Sequence, residues 1–444
     1  MPVVIKDKET KIRDMIQSSQ TVACYGKIEK VVGMTIESTG PDVNVGDLCL
    51  VYSSRTAKSE KKGVKAEVIG IKEKKVLLMP FEDISGIGPG SIVESTGSVL
   101  RIPVGEELKG RIIDGIGNPI DGKGEIKTEE YYSVQNKISN PLNRPRIDTR
   151  LVMGVKAIDG LLTCGEGQRM GIFAGSGVGK STLLGMIARN VEADINIIAL
   201  VGERGREVKE FLERDLKKKG MERSVLVIAT SDQSAMMRLK CALTATTIAE
   251  YFCDKGKKVL LMMDSLTRFA MAQREIGLAV GEPPIARGYT PSLYAILPKL
   301  LERAGRFDVG SITGIYTVLV EGDDVNEPIS DTVRGIIDGH IVLSREVAMR
   351  NHYPAIDILG SISRLMNDVV DEKHLKLAGD MRDLLSTYNI NYDLINTGAY
   401  KKGSNPKIEQ AIGKIDKINA FLKQEVMEVF DYNKTVKLMT DTLK

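Results

Sequence analysis

The stretch "MGIFAGSGVGKSTLLGMIARNV", Met170 to Val191, decides the fold class that the sequence predicts. It opens with a short apolar run, which indicates a buried strand, and continues with three glycines and a lysine between Gly175 and Lys180. Its second half has the apolar spacing of a helix with one buried face. A strand, a glycine-rich loop and a helix in this order predict an α/β domain with a phosphate-binding loop.

The loop fits the phosphate-loop pattern, although Ala174 stands at the first position, where glycine is commoner. Glycines let successive backbone N–H groups converge on phosphate oxygens, and the N-terminus of the following helix adds positive partial charge. Lys180 is predicted to reach the terminal phosphates of a nucleotide, and the Ser181 hydroxyl to bind Mg²⁺. The residues predicted to hold the nucleotide are Gly175, Ser176, Gly177, Val178, Gly179, Lys180, Ser181 and Thr182.

Two carboxylates follow other apolar runs of the predicted sheet. Asp264 ends "KVLLMMD" and is predicted to hold the metal, while Glu203 follows "INIIALVG" directly. Because the carboxyl ends of parallel strands share one crevice, Glu203 is expected near the terminal phosphate, where it could orient the attacking water. On spacing alone, Glu203 could instead pair with Arg204 or Arg206 in a solvated turn.

The alternation of apolar runs and helical segments extends over the middle of the chain. Continuous apolar strands joined by long crossovers are typical of a mainly parallel sheet covered on both faces. The runs predicted as strands are 170–174, 195–202, 224–230, 258–263 and 312–320.

The two ends of the chain have different patterns. Residues 21 to about 90 alternate with period two, as at Val32, Met34 and Ile36, and predict a small antiparallel β-barrel. After about residue 350 the pattern becomes helical, and Asn405 and Pro406 are predicted to begin one helix there. The first twenty residues have the spacing of a short amphipathic helix.

The composition excludes several other classes of protein. Among 444 residues, 62 Lys and Arg stand against 59 Asp and Glu, a net charge of +3 that argues against a dedicated nucleic-acid binder. The five cysteines are scattered and lack the CxxC spacing of a zinc site, as expected of reduced thiols in the cytoplasm. The sequence contains no run that fits a signal peptide or a membrane span.

Longer motifs identify the chain as resembling one family. "GVKAIDGLLTCGEGQRMGIFAGSGVGKSTLLGMIAR", "VGERGREVKEFLE" and "LLMMDSLTRFAMAQREIGLAVGEPP" resemble the ATPases of bacterial type III protein export, in their flagellar branch. "VLVEGDDVNEPISDTVRGIIDGHIVLSR" and "INTGAYKKGSNPKIEQAI" extend the likeness from about residue 20 to the C-terminus. That family is similar to the catalytic subunit of rotary ATP synthases.

The resemblance implies a three-part fold and specific roles. It implies a β-barrel, a RecA-type ATPase domain and a helical C-terminal domain, with ATP and Mg²⁺ as cofactors. Glu203 would be the catalytic carboxylate, and Arg204 would neighbour the terminal phosphate. "YPAIDILGSISR" matches the segment that carries an aromatic residue against the adenine, here Tyr353, and an arginine finger, here Arg364.

Partners and location are also implied only by the resemblance. The resemblance implies that the arginine finger is supplied by an adjacent subunit of a homohexameric ring. The segment at 281–294 resembles the one that faces the central stalk of such a ring. The implied partners are a coiled-coil stalk protein, a stator-like regulator dimer that grips residues 1–20, export chaperones with their substrates, and a membrane export gate. The protein would work in the cytoplasm, peripherally at the inner-membrane export apparatus.

The implied domain boundaries are an N-terminal arm at 1–20, a barrel at 21–95, an ATPase domain at 96–350 and a helical domain at 351–444. Alternatives are an ATPase of a virulence injectisome, a catalytic subunit of a rotary ATP synthase, a translocase of the Rho helicase type, and a non-catalytic ring component. Glu203 argues against a non-catalytic component, and the near-neutral charge argues against a helicase.

Overall fold

The computed structural model describes residues 24–53, 63–136, 140–320 and 327–444. The chain divides into two compact units, Met1–Leu100 and Arg101–Lys444. The N-terminal arm predicted at 1–20 lies outside the described residues.

The first unit contains a closed antiparallel barrel of six strands, in the order β1-β2-β5-β4-β3-β6. Alternating side chains such as Ile36, Val51 and Leu78 fill its interior, as the period of two requires. The predicted barrel is therefore confirmed. Its strands are β1 (Tyr25–Val32), β2 (Thr35–Thr39), β3 (Asp47–Tyr52), β4 (Val64–Lys72), β5 (Lys75–Pro80) and β6 (Ile92–Val99).

One local prediction within the barrel is wrong. The alternation at Val32, Met34 and Ile36 indicated one strand, but β1 ends at Val32 and β2 begins at Thr35. Gly33 has a φ of 55°, in the left-handed region that glycine adopts without strain, and it turns the chain there. Val32 and Met34 are consequently exposed at a hairpin.

The second unit is built on a nine-stranded sheet in the order β19-β18-β12-β17-β15-β13-β14-β8, with β16 paired to β17. All pairs along this path are parallel except the pair formed by β18 and β19. The predicted mainly parallel sheet is confirmed. Its strands are β8 (Ile112–Asp114), β12 (Arg169–Ala174), β13 (Ile195–Glu203), β14 (Ser224–Thr230), β15 (Lys258–Asp264), β16 (Gly305–Arg306), β17 (Ser311–Leu319), β18 (Gly339–Leu343) and β19 (Ile356–Ser363).

Shorter elements surround this sheet. Two strand pairs lie outside it, β7 (Arg101–Val104) with β9 (Glu130–Ser133) and β10 (Arg150–Leu151) with β11 (Cys164–Gly165). The first helices are α1 (Lys156–Leu161), α2 (Lys180–Asn190), α3 (Gly205–Glu210), α4 (Lys217–Glu222), α5 (Ala235–Asp254), α6 (Leu266–Ala279), α7 (Pro291–Leu301), α8 (Pro328–Ile336) and α9 (Arg345–Met349). A π-helical segment spans Phe211–Leu216, and single 3₁₀ turns span Glu106–Leu108, Pro141–Asn143 and Ala286–Gly288.

The C-terminal part is helical, as predicted, but it begins later than expected. Residues after 350 first form β19, which pairs antiparallel with β18 at one side of the sheet. Its mixture of buried and exposed side chains lacks the continuous apolar run that marked the other strands. The helices are α10 (Met366–Val369), α11 (Glu372–Ile390), α12 (Tyr392–Asn396), α13 (Pro406–Leu422) and α14 (Tyr432–Leu443).

Helix α13 begins where the sequence indicates. The side chain of Asn405 accepts a hydrogen bond from the Lys407 N–H, and Pro406 occupies the first helical position. Met381, Ile418 and Met439 from this C-terminal part belong to the same apolar core as α2 and the sheet. Among the described residues, no helix is long and apolar enough to cross a membrane.

Candidate active site

The phosphate loop connects β12 to α2 at the carboxyl edge of the sheet. Gly177 and Gly179 have φ angles of 80° and 89°, which most side chains would disfavour, so the loop geometry depends on glycine. Helix α2 begins at Lys180, and its first turn contains Ser181 and Thr182. The strand, loop and helix predicted from the sequence are therefore present.

Lys180 lies between the two predicted carboxylates. Its ammonium group contacts the Asp264 carboxylate, and its Nζ atom is 3.8 Å from Oε1 of Glu203. All three side chains are largely buried. The parallel strands β12, β13 and β15 bring these residues together because they end at the same edge of the sheet.

Asp264 is fixed in place by the neighbouring strand. The Thr317 hydroxyl donates to its Oδ1 atom at 2.7 Å, and Thr317 itself is fully buried in β17. The next residue, Ser265, caps α6 by accepting a hydrogen bond from the Arg268 N–H. The carboxylate therefore has a defined position at the entrance of a helix.

The electrostatics of the site raise the pKa of Glu203 to near neutral pH. Burial, followed by repulsion from Asp264, raises the pKa of Glu203 to about 7, although Lys180 opposes the shift. A hydrogen bond with Glu207 adds to the increase. Burial alone would lower the pKa of Lys180, but the attraction of Asp264 and Glu203 outweighs it and raises that pKa.

Arg204 lies away from this cluster. Its side chain is 75% exposed and pairs with Glu207, with 3.2 Å between Nη1 and Oε1. The alternative considered for Glu203, an ion pair with Arg204 or Arg206 in a solvated turn, is wrong, since Arg206 pairs with Glu210 and Glu203 faces Lys180.

A cavity of about 390 Å³ opens beside the phosphate loop. Tyr353, which is 44% exposed, lines it together with Gly179 and Thr182. A Cβ atom at Gly179 would lie 3.6 Å from two carbons of the Tyr353 ring, so the ring approaches the loop closely. Residues 423–426, which no sequence pattern singled out, also line the cavity.

Arg364 lies at the other edge of the sheet. It follows the last residue of β19, Ser363. Ser363 pairs with Gly339 at the start of β18, and Gly339 pairs with Met170 near the start of β12. Ala174 comes four residues after Met170, about 13 Å further along the strands, before the phosphate loop even begins. The Arg364 side chain is exposed, and its Nη2 atom donates to the backbone oxygen of Arg334 at 3.2 Å.

One cation at the carboxyl edge, Arg268, was not predicted from the sequence. Arg268 lies on α6, four residues after Asp264, and its stem packs against Gly202, next to Glu203. Its Nε atom is buried without a hydrogen-bond partner among the described residues. A buried donor of this kind is rare and indicates a place where an anion could bind.

The oxygen donors at this edge fit Mg²⁺. The first turn of α2 supplies the Ser181 hydroxyl, and β15 supplies the Asp264 carboxylate. The described residues contain no cluster of three or more metal-ligating side chains. Two hard oxygen ligands suit Mg²⁺, which keeps several waters and completes its shell with substrate phosphates.

Three family models match the chain. The nucleotide-binding domain of the ATP synthase alpha/beta family matches residues 154–363, and the β-barrel domain of the same family matches 28–97. The C-terminal domain of the type III secretion system EscN ATPase matches 370–441.

Individual relatives agree with these models. The flagellum-specific ATP synthase of Bacillus subtilis is 56% identical over 94% of both chains. A type 3 secretion system ATPase of Sinorhizobium fredii is 49% identical over 94% of this chain and 91% of its own. The assembled ATPase EscN of enteropathogenic E. coli superposes with a TM-score of 0.88 at 48% identity, covering 94% of this chain and all of that one. EscN in complex with its central stalk EscO gives a TM-score of 0.87 at 47% identity, with the same coverage.

Proposed function

The chain belongs to the ATP synthase alpha/beta family, as an ATPase of its flagellar and type III secretion branch, and on this premise we propose that it energises flagellar protein export as a homohexameric ring. The 56% identity to a flagellum-specific ATP synthase supports the flagellar assignment. The observation that carries the ring is the separation of Arg364 from the cluster of Lys180, Glu203 and Asp264 within one chain.

In the proposed site, the residues 175–182 bind the phosphates of ATP. Backbone N–H groups of the loop and the N-terminus of α2 face the phosphate oxygens, and Lys180 neutralises the terminal phosphate. Ser181 and Asp264 would hold Mg²⁺, which neutralises charge on the phosphates when it is bound. Tyr353 packs against the adenine in the cavity beside Gly179.

Glu203 prepares the attacking water in this proposal. Its ionised carboxylate accepts a hydrogen bond from the water and orients the oxygen toward the terminal phosphorus atom. As phosphoryl transfer proceeds, the carboxylate can take up the proton that the water loses. The raised pKa supports this role, because a base that titrates near neutral pH can both hold and release a proton.

Two arginines complete the proposed phosphate environment. Arg364 would come from the adjacent subunit and stabilise charge that develops on the transferring phosphoryl group. Arg268 would come from the same chain, where its unpaired Nε atom beside Gly202 supports a phosphate contact. Arg204, which is exposed, is proposed to approach the terminal phosphate only within the ring.

One of the proposed partners has support from a relative. EscN has been solved with a central stalk, and we propose a coiled-coil stalk for this chain, facing residues 281–294. We also propose a stator-like regulator dimer at residues 1–20, export chaperones with their substrates, and a membrane export gate. The protein would then work at the cytoplasmic face of the inner membrane. We retain the order of barrel, ATPase domain and helical domain in this proposal. The boundary expected at 95 would divide β6, and the one expected at 350 would separate β19 from its sheet, so we propose the boundaries 21–100, 101–363 and 364–444 instead.

The second candidate function is that of a virulence injectisome ATPase. The 49% identity to a type 3 secretion system ATPase and the likeness to EscN favour it. Complementation of a strain that lacks its flagellar export ATPase distinguishes the two, because restored motility supports the flagellar assignment.

The ring is tested by measuring ATP hydrolysis against protein concentration, with mass determined on the same samples. We expect the rate per subunit to increase as hexamers form, because each site then gains Arg364 from its neighbour. A constant rate carried by monomers would mean that one chain holds a complete site, and the ring would have to be abandoned.

A further inference from the structure

We propose that Gln424 is a positioning residue for the nucleotide base, an inference that rests on the base cavity in the proposed function. Residues 423–426, here called the base strap, follow α13 and line the cavity together with Tyr353. The strap can select a base only if its backbone is held in place.

The side chain of Gln424 points into the protein and fixes the strap. It is 5% exposed, and its Oε1 atom accepts a hydrogen bond from the Lys156 N–H at 2.8 Å. Its Nε2 atom donates to the backbone oxygens of Gly154 at 2.9 Å and Glu428 at 3.0 Å. One carboxamide thus joins the strap to the segment at the start of α1.

The backbone of the same residue reaches Tyr353. The Gln424 N–H donates to the Tyr353 backbone oxygen at 3.0 Å, so the strap and Tyr353 are connected through one residue. A shift of Gln424 would therefore move the strap and the aromatic ring together. Because its carboxamide bonds to the backbone of other residues, Gln424 acts through its neighbours.

Arg189 provides a second anchor from the phosphate-loop helix. Its Nη2 atom donates to the Val426 backbone oxygen at 2.8 Å, and its Nη1 atom contacts the Asp215 backbone oxygen in the π-helical segment. The strap is thus tied at one end to α1 through Gln424 and at the other to α2 through Arg189. The phosphate and base subsites thereby share a common support.

The carboxamide is specific to this arrangement. A hydrogen-bond acceptor and a donor are both needed, because the strap meets a backbone N–H on one side and two carbonyl oxygens on the other. Methionine matches the length of glutamine but offers neither group. Glutamate keeps the acceptor but places a charged oxygen against two carbonyls, which is unfavourable in a buried position.

The test separates base binding from phosphate binding by titration calorimetry with MgADP and with inorganic tripolyphosphate plus Mg²⁺. We expect Gln424→Met to weaken the binding of MgADP about tenfold, equivalent to the loss of about one or two hydrogen bonds. The binding of tripolyphosphate should weaken less than about twofold. The matched control Gln410→Met alters an exposed glutamine on the preceding helix, α13, and should change the binding of neither ligand. Equal weakening of both ligands would indicate a general structural role and overturn the inference.

Tyr353→Ala tests the base cavity independently. If it weakens the binding of MgADP while Gln424→Met does not, the cavity binds the base as proposed, but the proposed role of Gln424 is wrong. If Tyr353→Ala leaves MgADP unchanged, the proposed base site is wrong, and the inference fails with it. Thermal unfolding confirms that each variant is folded, and Gln424→Glu replaces the methionine variant if that protein does not fold, with the same expected outcome.

Discussion

The two edges of the sheet differ in how their charged residues are held. At the carboxyl edge, Lys180, Glu203 and Asp264 are buried and contact one another, with Thr317 fixing the carboxylate of Asp264. At the opposite edge, Arg364 is exposed, and its side chain makes no ion pair with any described residue. The charged side chains at the carboxyl edge are held in place by contacts within one chain. The exposed side chain of Arg364 is accessible to another subunit.

The largest effect is expected from removing the exposed arginine. Arg364→Ala should lower ATP hydrolysis about 10³-fold or more, because an arginine finger of this kind stabilises transition-state charge. Nucleotide binding to each subunit should remain. Mixing this variant with Lys180→Ala should restore part of the activity at hybrid interfaces. Failure of the mixture to recover would favour an arginine that acts within its own subunit.

Glu203→Gln at the carboxyl edge should reduce turnover about 10²- to 10⁴-fold while the dissociation constant for MgATP changes little. The amide keeps the size of the side chain but cannot accept a proton from water. Steady-state hydrolysis and equilibrium binding measure the two quantities, and Glu213→Gln on the exposed surface is the matched control. Near wild-type turnover would remove Glu203 from the catalytic role.

Arg268→Ala tests whether the preorganised edge includes a third cation. We expect kcat to decrease about 10²-fold, the loss typical of one donor to the reacting phosphoryl group. Arg274→Ala, on the same helix, serves as the control. Orthophosphate binding, measured as competition with MgATP, should weaken in Arg268→Ala alone; unchanged competition would mean that the unpaired Nε atom faces no phosphate.

The pH profile tests the electrostatics of Glu203. Since its pKa is raised to about 7, the carboxyl is protonated below that pH and cannot act as a base. We expect kcat/KM, which reports the free enzyme, to fall about tenfold for each pH unit below 7 and to level off above it. A profile that is flat from pH 5.5 to 8 would contradict the proposed base.

The smallest effects are expected on the free energy of unfolding, which can be compared for one variant at each edge of the sheet. Lys180→Ala leaves two carboxylates without their cation and should lower the free energy of unfolding by about 2 kcal/mol. This loss is smaller than for a fully buried ion pair, because Glu203 can take up a proton. Arg364→Ala should stay within about 0.5 kcal/mol of wild type, as for other exposed sites. Denaturant unfolding at pH 7.5 measures both. Equal losses would show that the two edges are not held differently.

The phosphate loop and the meeting of Lys180, Glu203 and Asp264 could be predicted because their strands are continuous apolar runs in a parallel sheet. Such strands end at one edge, so residues that follow them meet even when the sequence separates them. The catalytic and binding roles of these residues stay predictions. Tyr353 and Arg364 came only from the resemblance to a family, since neither position has a distinctive local pattern.

Other features had no signal that a single sequence could reveal. Strand β19 mixes exposed and buried side chains over eight residues, and its antiparallel pairing depends on the position of β18. Gln424 lies in a short polar connection, and its importance comes from bonds to residues about 270 positions away. Arg268 was missed although it lies four residues after Asp264, in the first turn of α6, a position that would have placed it near the site.

Strand β19 also links one proposed site to the next. Tyr353 precedes the strand and Arg364 follows it. The ends of the strand, Ile356 and Ser363, pair with Leu343 and Gly339, so they lie about 13 Å apart along β18. In the proposed ring, Tyr353 at one end of β19 would contact the base of the nucleotide in its own subunit. Arg364 at the other end would contact the phosphate of the nucleotide in the adjacent subunit.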